Sequence, residues 1–509
     1  MKKLFIILSF FILTITLSAQ EQVLFVPPGP VGTLNDVIRR DTLPNGSRVA
    51  GRVYELQRGA PYLINAAITN NGFPLHIRAR AGTGERPLIM YSVPTGGTSL
   101  EDLFLARGEL RLEGLNLQGR DNLAGFIRTA IRMDANKLRA TINDCLIQEF
   151  SQTAIRGNAD SLRLYMTNTV VNRIGKPDDP DNGRVYDDRN STDTLVMENN
   201  AFYNITSRII RDGNTSKIII HARINQNTIY NILQRGFEIG KIKDFVFTNN
   251  LVVNTYAYGR TLGGSPAYHL NVDTTFAGNN WNIRNNNFFL TPEVRTFITN
   301  LKRLNGDTLN PLPYDQFTIT PVGVANLANN INEVLDFRNE PPAPLNIINA
   351  NAQDTVSGST VPGAPAWDHA GIPKDANYSL LGMPQIDRFS AYHDFSYPAG
   401  TQSATGGTMG QRLGSFLFST TTSTRNLILD DQVLLYPNPT RGTLFVQTTD
   451  NASFQNVQVF DIQGRLLQNL NNLNDANLEL NLHHLPTGMY VVKAQKDNGK
   501  ISVSKVQKQ

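Results

Sequence analysis

Basic side chains recur at one offset along the middle of the sequence. Lys176, Arg208 and Arg235 each stand eight residues after a motif asparagine, at Asn168, Asn200 and Asn227, and Arg260 stands ten after Asn250. Cations at matching places on successive repeats would form a stripe able to hold an anionic glycan. The alternative is that their long aliphatic stems simply cover exposed strand faces. Cleaving such a glycan by β-elimination needs more: a cation to neutralise the uronate, a base for the C5 proton and an acid for the leaving oxygen. Asp178, Asp179, Asp181, Asp187, Asp188 and Asp193 crowd one stretch with Asn182-Gly183. So many oxygens suit Ca²⁺, although the spacing is not that of an EF-hand and a solvated loop has the same composition. His221, His269, His369, His393 and His483-His484 share no metal-ligand spacing. Trp281, Trp367, Tyr256, Tyr258 and Tyr268 could stack on sugar rings or anchor loops. There is no glycine-rich phosphate loop and no spaced Ser/His/Asp set.

The elements that would position these groups come from an internal repeat. Six segments align: Asn143-Asp144-Cys145-Leu146, Thr167-Asn168-Thr169-Val170, Asn199-Asn200-Ala201-Phe202, Gln226-Asn227-Thr228-Ile229, Asn249-Asn250-Leu251-Val252 and Asn286-Asn287-Phe288. Their second positions are 24, 32, 27, 23 and 37 residues apart, which a unit of about 23 with variable insertions explains. A short alternating strand precedes each polar pair, as in Leu162-Arg163-Leu164-Tyr165-Met166, and another follows it. Strand, tight turn, strand and loop, with no helical pattern between, form one coil of a parallel β-solenoid. Two polar columns follow. The first is Asp144, Asn168, Asn200, Asn227, Asn250 and Asn287; the second, four residues on, is Gln148, Asn172, Asn204, Asn231 and Asn254. Stacked amides can hydrogen-bond from coil to coil and so escape the cost of burial. Between them Leu146, Val170, Phe202, Ile229 and Val252 are expected to face the core, with Cys145 an inert neighbour.

The rest of the chain fits around that body. Residues 1–19 read as a secretory signal, with Lys2-Lys3 ahead of an apolar run and Leu17-Ser18-Ala19 at the cleavage point. No other stretch is long and apolar enough to span a membrane. Residues 20–416 form the solenoid, with Thr33 capping a short helix that plugs the first coil, a long excursion near 292–345, and closing coils from Asp394 to Gly414. Residues 417–430, a Ser/Thr tract, are the linker, and 431–509 carry short strands and turns suited to a small antiparallel β-sandwich. The fold class is therefore all-β. The single cysteine forbids an intrachain disulfide, and the net charge of +4, reduced once Lys2 and Lys3 are removed, gives no global grip on nucleic acid. Only 18% of residues are charged, while Asn makes up about a tenth, an excess that stacked amides account for.

Three resemblances add to this. Tyr436-Pro437-Asn438-Pro439, Gly442, Val459-Phe460-Asp461, Gly464-Arg465, Leu485 to Val492 and the basic end at Lys505 and Lys508 resemble, in order and spacing, the type A C-terminal sorting domain of the type IX secretion system of Bacteroidota. That implies an outer-membrane translocon as partner and a secreted or cell-surface destination. The body resembles the right-handed parallel β-helix of the pectin-lyase-like superfamily, a fold that hosts enzymes and inert binders alike. Phe237-Glu238-Ile239-Gly240-Lys241, followed by Arg260, is similar to the chondroitinase B and alginate lyase group. By that similarity Lys241 would be the base, Arg260 would assist the acid step or hold substrate, and Glu238 would bind Ca²⁺, though Gly240 stands where that group has a second Glu. An acidic polysaccharide is then the expected partner, as lyase substrate or as the ligand of a non-catalytic, adhesin-like surface solenoid.

Overall fold

The computed structural model describes residues 21–509 apart from 124, 176–181, 213–215, 258–259, 262–269, 274–279, 303–305, 307, 312–327, 353–392, 419–432, 449–452, 462–465 and 497–500. The signal segment, Lys176, three of the clustered aspartates, Tyr258, Tyr268, His269, Trp367, His369 and most of the linker lie outside these. The chain divides into two compact units, 1–419 and 420–509.

The first unit is a parallel β-solenoid. Each coil has three strands, represented by Leu162–Thr167, Val170–Ile174 and Arg184–Asp188. The middle strands stack into a nine-stranded sheet running from Pro61–Ile64 to Asn287–Phe289, and the other two columns join in a 17-stranded sheet, counted among the described residues. The corner between the first and second columns turns through one left-handed residue per coil: Gly114, then Asp144, Asn168, Asn199, Gln226, Asn249 and Asn285, with φ of 51–67°. Asn and Asp tolerate that conformation better than other side-chain-bearing residues, which is why the corner is rich in them.

The residue after each turn carries the ladder. Cys145 N–H donates to Thr169 Oγ1 at 3.2 Å, and Thr169 N–H to Asn200 Oδ1 at 2.9 Å. From there each asparagine offers both its backbone N–H and its Nδ2 to the next Oδ1, through Asn227, Asn250, Asn286 and Asn330, at 2.9–3.1 Å. Each Nδ2 also donates to a carbonyl of the preceding coil, as Asn227 does to Met197 O at 2.9 Å. The expected column is thus correct at 200, 227 and 250 but one residue off at 144, 168 and 287, whose ladder positions are 145, 169 and 286. At the second corner the left-handed residues are Glu149, Arg173, Asn204, Asn231 and Asn254. Asn254 donates to Asn231 and Asn231 to Asn204 at 3.0–3.1 Å, whereas Gln148 and Asn172 sit one residue earlier, inside the strands.

The core follows the register. Ile147, Val171, Phe202, Ile229, Val252 and Phe288 form one column pointing inward. Leu146 and Val170 instead face outward, into a second apolar layer with Tyr203, Tyr230, Leu251, Phe337, Phe395, Tyr397 and Leu413. The segment from Asp394 to Phe418 therefore adds no closing coils. It lies as a strap across the outside of the nine-stranded sheet, running back against the coil order. Asn287 Nδ2 meets Ser403 Oγ at 3.0 Å, Thr408 N–H meets Asn249 Oδ1 at 2.8 Å, Ser415 N–H meets Thr228 Oγ1 at 2.9 Å and Phe416 N–H meets Asn199 Oδ1 at 2.7 Å. At the N-terminal end the helix Thr33–Arg40 buries Leu34 and Ile38. Its N-cap is Gly32, at φ 87°, and Thr33 Oγ1 bonds Pro30 O instead of capping the helix.

The second unit is built from two antiparallel sheets. Val433–Tyr436, Thr443–Thr448 and Asn477–Asn481 form one; Leu466–Asp475, Phe454–Asp461, Gly488–Lys496 and Ile501–Lys508 form the other. Leu444, Val446, Val457, Val459, Leu480, Tyr490, Val492 and Val506 fill the space between them. Leu466–Asp475 is an Asn-rich strand whose weak alternation hides it in the sequence.

Candidate functional site

A cluster of arginines lies on the outer face of the third strand column. The strands Thr129–Met133, Thr153–Gly157, Arg184–Asp188 and Arg208–Asp212 stack in parallel there. With Ile131, Ile155, Tyr186 and Ile210 pointing into the core, the period of two sends the next residues outward. These are Arg132, Arg156, Asp187 and Arg211, followed by Glu238. Arg184 and Arg208 form a second column at the start of these strands, where ion pairs to Asp187 and Glu238 draw both toward the outer face, and Arg128 and Arg189 flank the strands.

Counter-charges are fewer and mostly shared. Asp187, 1% exposed, takes Arg189 at 2.8 Å, Arg211 at 3.1 Å and Arg184 at 3.8 Å. Glu238 takes Arg208 at 2.6 Å and Arg235 at 2.7 Å, and Arg235 also donates to Tyr256 Oη at 3.3 Å. Arg128 pairs with Glu101 at 2.5 Å, and Arg132 reaches Asp102 at 3.6 Å. Arg156 differs: its Nε is shielded from solvent and has no hydrogen-bond partner among the described residues. Burial, and then the positive charges of Arg189, Arg132 and Arg128, pull its pKa below the ordinary arginine value despite the nearby Asp187. Among the described residues the surroundings of Arg156 thus have an excess of cation over anion in a partly dehydrated setting, where charge interactions are least screened.

The residues singled out by sequence fall unevenly on this surface. Arg208 and Arg235 are brought together, around Glu238. That carboxylate already faces two guanidiniums, and Gly240 supplies no second oxygen, so the set does not suit Ca²⁺. Lys241 lies past a register shift on the same long strand, Phe237–Thr248, paired with Ile218 and Asp273, and its side chain makes no hydrogen bond or ion pair among the described residues. Arg260 belongs to a separate two-stranded antiparallel ribbon, opposite Asn310, and not to the solenoid columns. Among the described residues no group of three His, Cys, Asp or Glu side chains could hold a metal ion. His221 pairs with Asp244 at 2.6 Å, and burial pushes His393 down to about 4. The sequence did carry a signal for the face that was missed: Thr129-Ala130-Ile131-Arg132 recurs as Thr153-Ala154-Ile155-Arg156, 24 residues later.

Comparison with known proteins adds an address. Residues 434–509 match the family model of the secretion system C-terminal sorting domain. The chain thus carries a type IX sorting tail behind a parallel β-solenoid, and it is a secreted or cell-surface protein. Among solved structures it is similar to the crystal structure of pectate lyase Pel9A, with 12% identity and a TM-score of 0.36 over 78% of this chain and 96% of that one. At that distance nothing about activity carries over. No curated protein matches the chain. Among the described residues no helix is long and apolar enough to cross a membrane.

Proposed function

We propose that this exported β-solenoid holds an acidic polysaccharide on the arginine-bearing outer face of its third strand column. The observation that carries the reading is Arg156, a half-buried guanidinium whose Nε has no hydrogen-bond partner among the described residues, set amid Arg128, Arg132 and Arg189. Guanidiniums present planar, paired donors suited to carboxylate and sulfate groups, and stacked coils repeat them along the solenoid axis at about the 4.8 Å strand spacing. A linear polyanion laid along that axis would meet a cation on successive coils.

Holding is favoured over cleavage. Glu238 is engaged by Arg208 and Arg235, and Arg260 stands on a different pair of strands from Lys241. Incubation with alginate, pectate and chondroitin separates the two readings. Retention on immobilised polysaccharide with no ultraviolet-absorbing unsaturated product, with or without Ca²⁺, is the expected result. Product formation abolished by Lys241→Ala would establish the lyase instead. Retention unaffected by an Arg132→Glu/Arg156→Glu double substitution would sink the proposed face.

A further inference from the structure

The N-terminal end of the solenoid holds a cleft. Gln22–Val26 and Arg52–Leu56 stack in register as consecutive rungs of the first column, and between them the chain makes the helix Thr33–Arg40 and a turn in place of the other two strands. Ile68–Asn70 is therefore the first rung of the third column among the described residues, and a cleft of about 670 Å³ lies between its flanking loops and the helix with its turn. Sites for small molecules commonly measure roughly 300–1,000 Å³. Thr69 lines the cleft and pairs in register with Leu105, Leu105 with Arg132, and Arg132 with Arg156. The cleft thus stands at the head of the outward arginine row, with Thr69 about 14 Å from Arg156 at three strand spacings.

Its lining is mostly polar, and its cation is already oriented. Asn35 fastens helix to loop, donating through Nδ2 to Ala66 O at 3.0 Å and accepting at Oδ1 from Asn65 N–H at 3.1 Å. Arg48 donates through Nη1 to the carbonyls of Ile38 and Asp41, and its guanidinium lies 4.0 Å over the Phe73 ring. These contacts fix the plane of the group without neutralising it. The neighbouring carboxylates are engaged elsewhere: Asp41 by Arg52 at 2.6 Å and the Tyr54 hydroxyl at 3.0 Å, Asp36 by Arg39 at 2.6 Å. Arg48 Nε and Nη2, a paired-donor edge suited to a carboxylate, make no hydrogen bond or ion pair among the described residues. The Asn65 amide and the Thr69 hydroxyl have no partner there either, and of Asn71 only Oδ1 is taken, by Arg107 at 3.3 Å. Ile38 and Ile68 are 4% and 3% exposed and Phe73 lies under Arg48, so little apolar surface is offered to a lipid or an apolar peptide.

Resting on the reading of the arginine face as a polysaccharide surface, we propose that this cleft seats a uronic acid residue of the same glycan, its carboxylate on Arg48 and its hydroxyls on Asn65, Thr69 and Asn71. Calorimetric titration of the full chain with unsulfated disaccharides of alginate, pectate and chondroitin tests it, because probes so short report on the cleft by itself. At least one should bind. Its affinity should drop about tenfold or more in Arg48→Gln, which keeps an amide donor for the two carbonyls, and in Thr69→Tyr, which fills the cleft and leaves Arg48 in place. Circular dichroism melts identify the variants that fold. Arg132→Glu/Arg156→Glu should change disaccharide affinity by less than about twofold while releasing the polymer. No binding of any of the three disaccharides, or binding that survives either cleft substitution in a folded variant, overturns the proposal whatever the polymer does. Polymer retention untouched by the double substitution, with disaccharide binding lost in Arg48→Gln, overturns the arginine face instead and leaves the cleft standing.

Discussion

Two sides of the same coils treat polar groups in opposite ways. At the corner between the first and second columns, each buried asparagine donates to the next and accepts from the one before, and its spare donor finds a carbonyl. On the outer face of the third column the pairing does not close among the described residues: Asp187 serves three guanidiniums, Glu238 serves two, and Arg156 Nε has no partner. A polar group that recurs together with its partner is architecture, worth about 1 kcal/mol of net stability per bond. One that recurs without enough partners leaves a field that an external anion can answer.

The contrast can be broken most forcefully at the corner. Asn227→Leu removes the acceptor of Asn200 N–H and Nδ2 and the donor to Met197 O, leaving several buried groups orphaned. Urea denaturation should show a loss of about 3 kcal/mol or more, since each orphan costs roughly 1–3. A loss below about 1 kcal/mol would mean the ladder is not structural. Asp187→Asn comes next, because it weakens the ion pairs of three guanidiniums at once. Stability should fall by about 1–3 kcal/mol, less than for fully buried pairs because Arg189 and Arg211 are partly exposed. Calorimetric titration with an acidic polysaccharide should meanwhile show tighter binding, opposite in sign to the stability change.

Arg156→Glu sharpens the comparison from the other side. It forfeits no side-chain hydrogen bond among the described residues, so Tm should move little, while polysaccharide affinity drops about tenfold or more, a change of roughly 1.4 kcal/mol. The wild-type affinity itself should fall as salt is raised. Lys241→Ala should have the smallest effect, less than about twofold on retention, because the Lys241 side chain makes no hydrogen bond among the described residues and stands off the arginine columns.

The coil architecture was legible because one left-handed turn per coil demands Asn or Asp, and strand alternation on either side announces itself. Register was harder to read. At each corner two adjacent residues are both polar, and only the direction of their hydrogen bonds tells the turn residue from the ladder residue, which is why 144, 168 and 287 came out one position off. Leu146 and Val170 look like core residues because they are apolar; they face outward under a strap that lies more than 150 residues away in sequence. The same limit applied to the site. Counting from the corner asparagines reached Arg208 and Arg235 but crossed loops of variable length, so Arg132 and Arg156 fell outside the count although their own strands repeat the same four residues.

The strap also changes how the solenoid comes apart. Coils that touch only their neighbours gain stability additively, and their ends unravel first. Between Ser403 and Phe416 this segment is bonded to the rungs of Asn287, Asn249, Thr228 and Asn199, so peeling any one of them strips a fastening shared by the others. That stretch is thereby converted from a row of separable links into a single cooperative block. Because the strap follows all of these coils in chain order, the block locks only after the last of them has been made.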